Sequence, residues 1–153
     1  MPHEIESPLT CPWSSVPRIL RQEYEILLTD AKADMQAGGD GPPPIVVTLD
    51  RRGRLHGHRL WGPHHADHRH AFLCAIVQHD DAVAVMLFAD INLRDADSLA
   101  IVGEALSASI ETESGQLVEV ITRYTRNPLA FAETEITPYV TRNRGSVFAM
   151  PQH

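Results

Sequence analysis

Hydrophobic residues along the chain change between helical and strand spacing, and this pattern predicts two helices. The first begins at Ser15–Pro17, where a hydroxyl cap precedes a proline, and reaches Met35 with apolar residues three and four positions apart. The second runs from Asp67, as a capping residue, to about His79. Each has one apolar face, so we expect both to pack on a common core.

Six strands are predicted from β-branched runs and from alternating apolar and polar positions, at 45–49, 54–60, 82–89, 106–111, 117–124 and 130–137. The stretch 82–89 is apolar throughout, which is typical of a central strand covered on both faces, and Leu87 should be fully buried there. The polar stretch 90–98 predicts a short helical turn through Val102.

Together these elements predict an α+β fold with a single mixed or antiparallel β-sheet, two main helices packed on it, and the order α-β-β-α-β-β-β-β. Residues 1–14 are rich in proline and lack periodicity, so we interpret them as an N-terminal arm. One α+β domain is predicted over residues 15–138, followed by a C-terminal tail over residues 139–153.

One segment resembles a known group of proteins. The strand Ile45–Leu49, the turn Asp50-Arg51-Arg52-Gly53-Arg54, the second helix and the apolar strand 82–89 follow each other in a fixed order. Over about residues 44–137 this order resembles uncharacterised small α+β proteins of bacteria and their phages. The resemblance supports the order of elements and implies no activity.

Composition excludes several classes of protein. The chain has 153 residues, a net charge of −7 at pH 7 and two cysteines, Cys11 and Cys74. The acidic charge makes nucleic acid an unlikely partner, and two isolated cysteines form neither a disulfide scaffold nor a CxxC motif. No apolar run is long enough to cross a membrane, and the N-terminus lacks the pattern of a secretory signal. We therefore expect a soluble, cytoplasmic protein.

Nine histidines are the unusual feature of the composition, and seven lie between positions 56 and 79. Imidazole suits transition metals such as zinc, and alternate residues of a strand share one face. The candidate metal ligands are therefore His56, His58, His64, His65 and His68.

Motif tests do not identify a known metal site among these histidines. The run 63–68 resembles the H-x-H-x-D-H motif of the metallo-β-lactamase fold, but Pro63 occupies the place of the first histidine. The pair His56 and His58 lacks the glutamate that follows a cupin H-x-H, and no H-E-x-x-H is present. A solvated surface is the simpler interpretation, and metal binding stays open as the alternative.

The same region is basic within an acidic chain. Residues 51–70 contain five arginines and one acidic residue, Asp67, which gives a local charge of +4 with histidines neutral. Such a patch suits an acidic partner, a phosphate group or a second copy of the chain, and lower pH increases its charge. The predicted interaction patch consists of Arg51, Arg52, Arg54, Arg59 and Trp61.

No nucleophile, phosphate loop or acid–base pair has a recognisable sequence setting. We therefore expect a non-enzymatic protein that acts through protein–protein interaction or self-association, without a cofactor. The alternative is a metal-binding protein or metal-dependent hydrolase that uses the histidines between His56 and His70, with zinc as a suitable ion.

Overall fold

The computed structural model describes residues 13–60, 66–137 and 146–148, and the side chains of residues 66, 67 and 137 lie outside this description. A short 3-10 turn, Trp13–Ser15, precedes the first helix. The helices are α1 (Arg18–Gln36) and α2 (Ala66–His79). The strands are β1 (Ile45–Asp50), β2 (Leu55–Arg59), β3 (Ala82–Arg94), β4 (Ile101–Thr112), β5 (Leu117–Arg126), β6 (Leu129–Phe131) and β7 (Glu135–Thr137).

All described strands form one sheet in the order β2-β1-β3-β4-β5-β6, with β7 also paired to β5, and every pairing is antiparallel. The α+β class and the antiparallel sheet are therefore confirmed. The arrangement is less simple than the predicted helices on a sheet, because strands make up most of the structure and the sheet curls into a half-barrel.

The helices lie on opposite faces of this sheet because each strand alternates its side chains between the two faces. Buried residues of α1 pack against one face, which includes Val47, Met86 and Phe88. Ile76 and Val77 of α2 pack against the other face, which includes Val46 and Val85. The continuous apolar run of β3 follows from this double cover.

The polar stretch after residue 89 is strand, so the predicted helical turn is wrong. β3 continues to Arg94 and β4 already begins at Ile101, and the two strands pair over this whole length. Asp95 accepts hydrogen bonds from the backbone N–H groups of Asp97 and Ser98, both at 2.9 Å, and this stabilises the hairpin turn. Asp95 therefore caps backbone N–H groups in a turn between two strands.

The last predicted strand, 130–137, is interrupted. β6 and β7 both pair with the same edge of β5, with Phe131 opposite Tyr124 and Glu135 opposite Ile121. Between these two positions the segment with β6 and β7 contains one residue more than β5, as in a β-bulge. This interruption adds a seventh strand to the six that were predicted.

Two local predictions are also wrong. Pro17 is the cap residue of α1 and no side-chain hydrogen bond caps this helix, so Ser15 does not provide the predicted hydroxyl cap. Leu87 is only partly buried, on the face that α2 covers. A helix covers only part of a face, so an apolar run does not guarantee full burial at each position.

A short segment of the predicted C-terminal tail packs on the sheet. Val147 is buried in the cluster that α2 forms with β1 and β3, and the hydroxyl of Ser146 is hydrogen-bonded to Glu111. Among the described residues, no helix is long and apolar enough to span a membrane.

Candidate functional site

The site begins with Asp80, which directly follows α2 and has a side chain only 3% exposed. One carboxylate oxygen accepts a hydrogen bond from the Thr48 hydroxyl at 2.7 Å and lies 2.7 Å from Nε2 of His58. The other lies 2.9 Å from Nδ1 of His79. Asp80 thereby connects β1, β2 and the end of α2.

These contacts keep Asp80 ionised. Burial raises the pKa of its carboxyl, but hydrogen bonds from His79, Thr48 and His58 together outweigh burial and lower the pKa to about 2. A carboxylate is an acceptor only, so the ring nitrogens of His58 and His79 that face it carry protons. His58 is thereby held in one orientation, and in both histidines the second ring nitrogen is directed away from Asp80.

Asp50 organises the turn between β1 and β2 in a similar way. One carboxylate oxygen accepts hydrogen bonds from the backbone N–H groups of Arg52, at 2.8 Å, and Arg54, at 2.9 Å. The other lies 2.8 Å from Nε2 of His56. The hydrogen bond from His56, followed by the backbone bond from Arg54, lowers the pKa of Asp50 to about 2. Gly53 supplies the positive φ, 84°, that this turn requires.

The turn and the end of α2 enclose an open cleft of about 390 Å³. It is lined by Asp50, Arg51, Arg52, Arg54, His56, His79, Asp80 and Asp81. The hairpin supplies the basic side chains, and the α2–β3 connection supplies His79 and two acidic residues. The cleft therefore forms only when α2 docks beside the hairpin.

Every acidic side chain in the cleft already has a partner within the protein. Asp50 and Asp80 are held as described, and Asp81 lies 3.3 Å from Nε of Arg51. Arg51 also forms a salt bridge to Glu113. Within the described part of the chain, the side chains of Arg52 and Arg54 make no hydrogen bond or ion pair. Two guanidinium groups in the cleft are thus available to an external anion.

This arrangement suits the binding of an anion. A guanidinium group presents parallel N–H donors that match a carboxylate or phosphate, and such charge-assisted hydrogen bonds are the stronger kind. His79, whose side chain is 84% exposed, adds a ring nitrogen at the cleft that does not face Asp80. A protonated imidazole is a further donor to an anion.

The predicted metal ligands are only partly brought together. His56 and His58 share one face of β2, as predicted, but each contacts a different aspartate. His68 is exposed on α2, and His64 and His65 lie outside the described residues. Across residues 13–60, 66–137 and 146–148, no group of three or more histidine, cysteine or acidic side chains could hold a metal ion. Metal binding by these five histidines stays a prediction.

The predicted interaction patch is divided between the two faces of the sheet. Arg51, Arg52 and Arg54 line the cleft, whereas Arg59 lines a different cavity of about 330 Å³ together with Asp30 and Asp34 of α1. Because side chains alternate between the two faces along β2, Arg59 lies on the opposite face of the sheet from His56 and His58. Trp61 lies outside the described residues.

Sequence reasoning missed the acidic half of the site. Asp50 and Asp80 are the residues that orient the histidines, yet their sequence setting indicates only turn residues. The hairpin register contains a signal for Asp50, because Thr48 pairs with His56 and a residue two positions away is a diagonal neighbour. No local signal places Asp80, which reaches β1 and β2 through the docking of α2.

A second polar cluster lies on the α1 face of the sheet. The hydroxyl of Tyr124 donates to Asp90 at 2.6 Å, and Arg126 lies 3.6 Å from Asp90 and 3.0 Å from Glu104. Burial raises the pKa of Asp90 and also that of Tyr124. The members of this cluster bind one another, so we interpret it as a connection between β3, β4 and β5.

Comparisons of the chain with protein-family models, with characterised proteins and with solved structures gave no match. The resemblance to small proteins of bacteria and phages therefore stays a prediction, and the functional interpretation depends on the geometry of the cleft.

Proposed function

We propose that this protein is a non-enzymatic interaction protein that binds an anionic group of a macromolecular partner in the cleft between the β1–β2 turn and the end of α2. One observation carries the proposal. Arg52 and Arg54 present unpaired guanidinium groups, among the described residues, in a cleft where each acidic side chain is already engaged.

The engaged acids matter because an unpaired carboxylate would repel the ligand. Asp50 and Asp80 are held by hydrogen bonds that favour their charged forms, and Asp81 is paired with Arg51. Hydrogen bonds from neutral groups leave Asp50 and Asp80 charged, but both side chains are largely buried, and the charge of Asp81 is offset by the cation Arg51. The positive charge that reaches solvent comes from Arg52 and Arg54, which are both exposed.

The rigidity of the turn also supports binding. Asp50 fixes the backbone of Arg52 and Arg54 through two hydrogen bonds, so both arginines leave a backbone that is already ordered. Because this backbone is already ordered, it loses little further conformational entropy when the two side chains bind a ligand. This arrangement favours a compact oxyanion, such as a phosphate or a carboxylate.

The test is calorimetry with inorganic pyrophosphate as the probe, at low salt and at 150 mM salt. We expect Arg52→Gln and Arg54→Gln each to weaken binding about tenfold, which corresponds to about 1.4 kcal/mol. The matched control is Arg18→Gln, which removes the same charge from an exposed position of α1 on the other face of the sheet. Lower affinity at higher salt is expected for an exposed site.

Two outcomes would overturn the proposal. One is the absence of pyrophosphate binding at millimolar concentration in low salt. The other is an equal loss of affinity in all three variants, because a general effect of net charge would then explain the binding without the cleft.

A further inference from the structure

Strand β2 forms one edge of the sheet, directly beside the cleft. It pairs with β1 on one side, and no strand of the described residues lies on its other side. Such an edge presents unpaired backbone N–H and C=O groups and accepts an additional strand from another chain.

The ladder identifies the groups that point outwards. Asp50 N–H donates to the carbonyl of Arg54, and Leu60 N–H donates to the carbonyl of Pro44. Hydrogen-bonded pairs alternate with non-hydrogen-bonded pairs in an antiparallel ladder, so residues 54, 56, 58 and 60 of this strand bond to β1. The backbone groups of Leu55, Gly57 and Arg59 therefore point away from the sheet.

The middle of this edge is exposed. Gly57 is exposed, and a Cβ built on it would meet nothing within 4 Å. Gly57 has no side chain of its own to cover its outward N–H and C=O groups, and its exposure makes this backbone accessible to another strand. Among the described residues, no proline, bulge or covering element protects residues 55–59 of β2, and the charged Arg59 protects only the end of this edge.

The charges beside this edge indicate what pairs with it. Side chains of an added strand would alternate between the two faces of the sheet. On one face they meet His56 and the cleft with Arg52 and Arg54, whereas on the other face Arg59 shares a cavity with Asp30 and Asp34. Acidic side chains on a paired strand would thus find unpaired basic groups on the cleft face.

We infer that the outer edge of β2 binds an extended acidic segment of a partner protein, which adds a strand to the sheet and places an acidic side chain in the cleft. The inference rests on the proposed anion-binding function and names the class of partner. Backbone hydrogen bonds to Leu55, Gly57 and Arg59 supply affinity, and the cleft selects for acidic residues.

A second copy of this chain is the competing occupant. The opposite edge of the sheet carries Glu135 in β7, but this carboxylate already lies 3.1 Å from Nε of Arg123 in the same molecule. Charge complementarity therefore favours a partner whose acidic side chains are unpaired. Sedimentation of the unmodified protein and of its Gly57→Pro variant, each without peptide, detects assembly through β2.

The experiment measures fluorescence anisotropy of a labelled peptide made of five Glu-Thr repeats. Its first control is the same peptide with alternate backbone amides N-methylated, which keeps the charge and removes N–H donors. The second control is a peptide of five Lys-Thr repeats. We expect the acidic peptide to bind, the N-methylated peptide to bind at least tenfold more weakly, and the basic peptide not to bind.

The matched protein variants are Gly57→Pro and Gly57→Ala. Proline removes an N–H that points outwards and makes no bond to β1, whereas alanine keeps this N–H and has space for its Cβ. We expect Gly57→Pro to lower peptide affinity at least tenfold with unchanged pyrophosphate affinity, and Gly57→Ala to bind the peptide like the unmodified protein. The N-methylated peptide still tests strand addition if Gly57→Pro does not fold.

The two proposals fail in different ways. If pyrophosphate binds but the acidic peptide binds no better than its N-methylated form, strand addition is wrong and the anion site stands. If neither pyrophosphate nor the peptide binds, both proposals are wrong. If the unmodified protein self-associates and Gly57→Pro does not, a second copy occupies this edge and the acidic partner is excluded.

Discussion

Replacement of Asp80 by asparagine tests whether this carboxylate holds the cleft together. Asparagine has the same shape but lacks the charge, and one oxygen becomes an NH₂ group that cannot accept a hydrogen bond. Of the three contacts, those to Thr48 and His58 are the shortest, both 2.7 Å. The contact to His79 contributes less, because its side chain is 84% exposed and can turn into solvent.

The expected loss follows from these contacts. A hydrogen bond to a charged group is worth about 1.5–3 kcal/mol, and the asparagine side chain would retain one neutral acceptor, so we expect Asp80→Asn to lower the free energy of unfolding by about 2–3 kcal/mol. In a urea titration this shifts the midpoint by ~1 M or more. In a thermal scan it lowers Tm by ~5–10 °C.

Asp81→Asn is the matched control for this substitution. Asp81 is adjacent in sequence, its side chain is 70% exposed, and its partner Arg51 is also exposed, so its ion pair should contribute less than about 1 kcal/mol. Its φ of 50° is one that asparagine adopts readily. A loss below about 0.5 kcal/mol for Asp80→Asn, or equal losses for both variants, would refute the role assigned to Asp80.

Two further predictions concern the core and the response to acid. Phe88 is fully buried whereas Leu87 is partly exposed. In urea titrations, Phe88→Ala should therefore lower the free energy of unfolding by about 3–5 kcal/mol, and Leu87→Ala should lower it by clearly less. Equal losses would contradict the assigned faces of β3. The folded-state pKa values of Asp50 and Asp80 are lowered to about 2, so their stabilisation is fully present above the unfolded value near ~3.9 and is lost as pH falls towards 2. Urea midpoints between pH 6 and pH 2 should therefore fall less steeply in Asp80→Asn than in the unmodified protein, and identical slopes would be evidence against the shift at Asp80.

Local patterns in the sequence predicted most elements because the physical causes are local. Three- and four-residue spacing identified α1, and the turn with Gly53 identified the β1–β2 hairpin with nearly correct ends. The prediction failed where polar residues occupy a strand, as at Asp90 and Asn92. Asp90 is tolerated because it accepts a hydrogen bond from Tyr124, a residue 34 positions away, and Asn92 is exposed. Nothing near Asp90 in the sequence reveals this partner.

In the candidate site too, residues with a local sequence pattern were predicted and residues placed by distant contacts were not. The arginines of the cleft were identified because they crowd one hairpin, and the shared face of His56 and His58 follows from strand alternation. The aspartates that orient the histidines were missed because a turn aspartate is ordinarily explained by backbone bonding alone. Asp50 does make those bonds, at 2.8 and 2.9 Å, and still has a second oxygen for His56.

The positions of Asp50 and Asp80 therefore change how the histidines of the hairpin are interpreted. A metal site needs several ring nitrogens to face one point, whereas His56 and His58 each direct Nε2 to a separate aspartate. The aspartates orient the rings, and both carboxylates are held by hydrogen bonds within the protein. What remains available in the cleft is the positive charge of Arg52 and Arg54, beside a strand edge on which Gly57 is exposed. Anion recognition uses these groups as they stand, whereas a metal ion would have to bind the second ring nitrogens of these histidines, and the described residues contain no group of three or more ligands that could hold one.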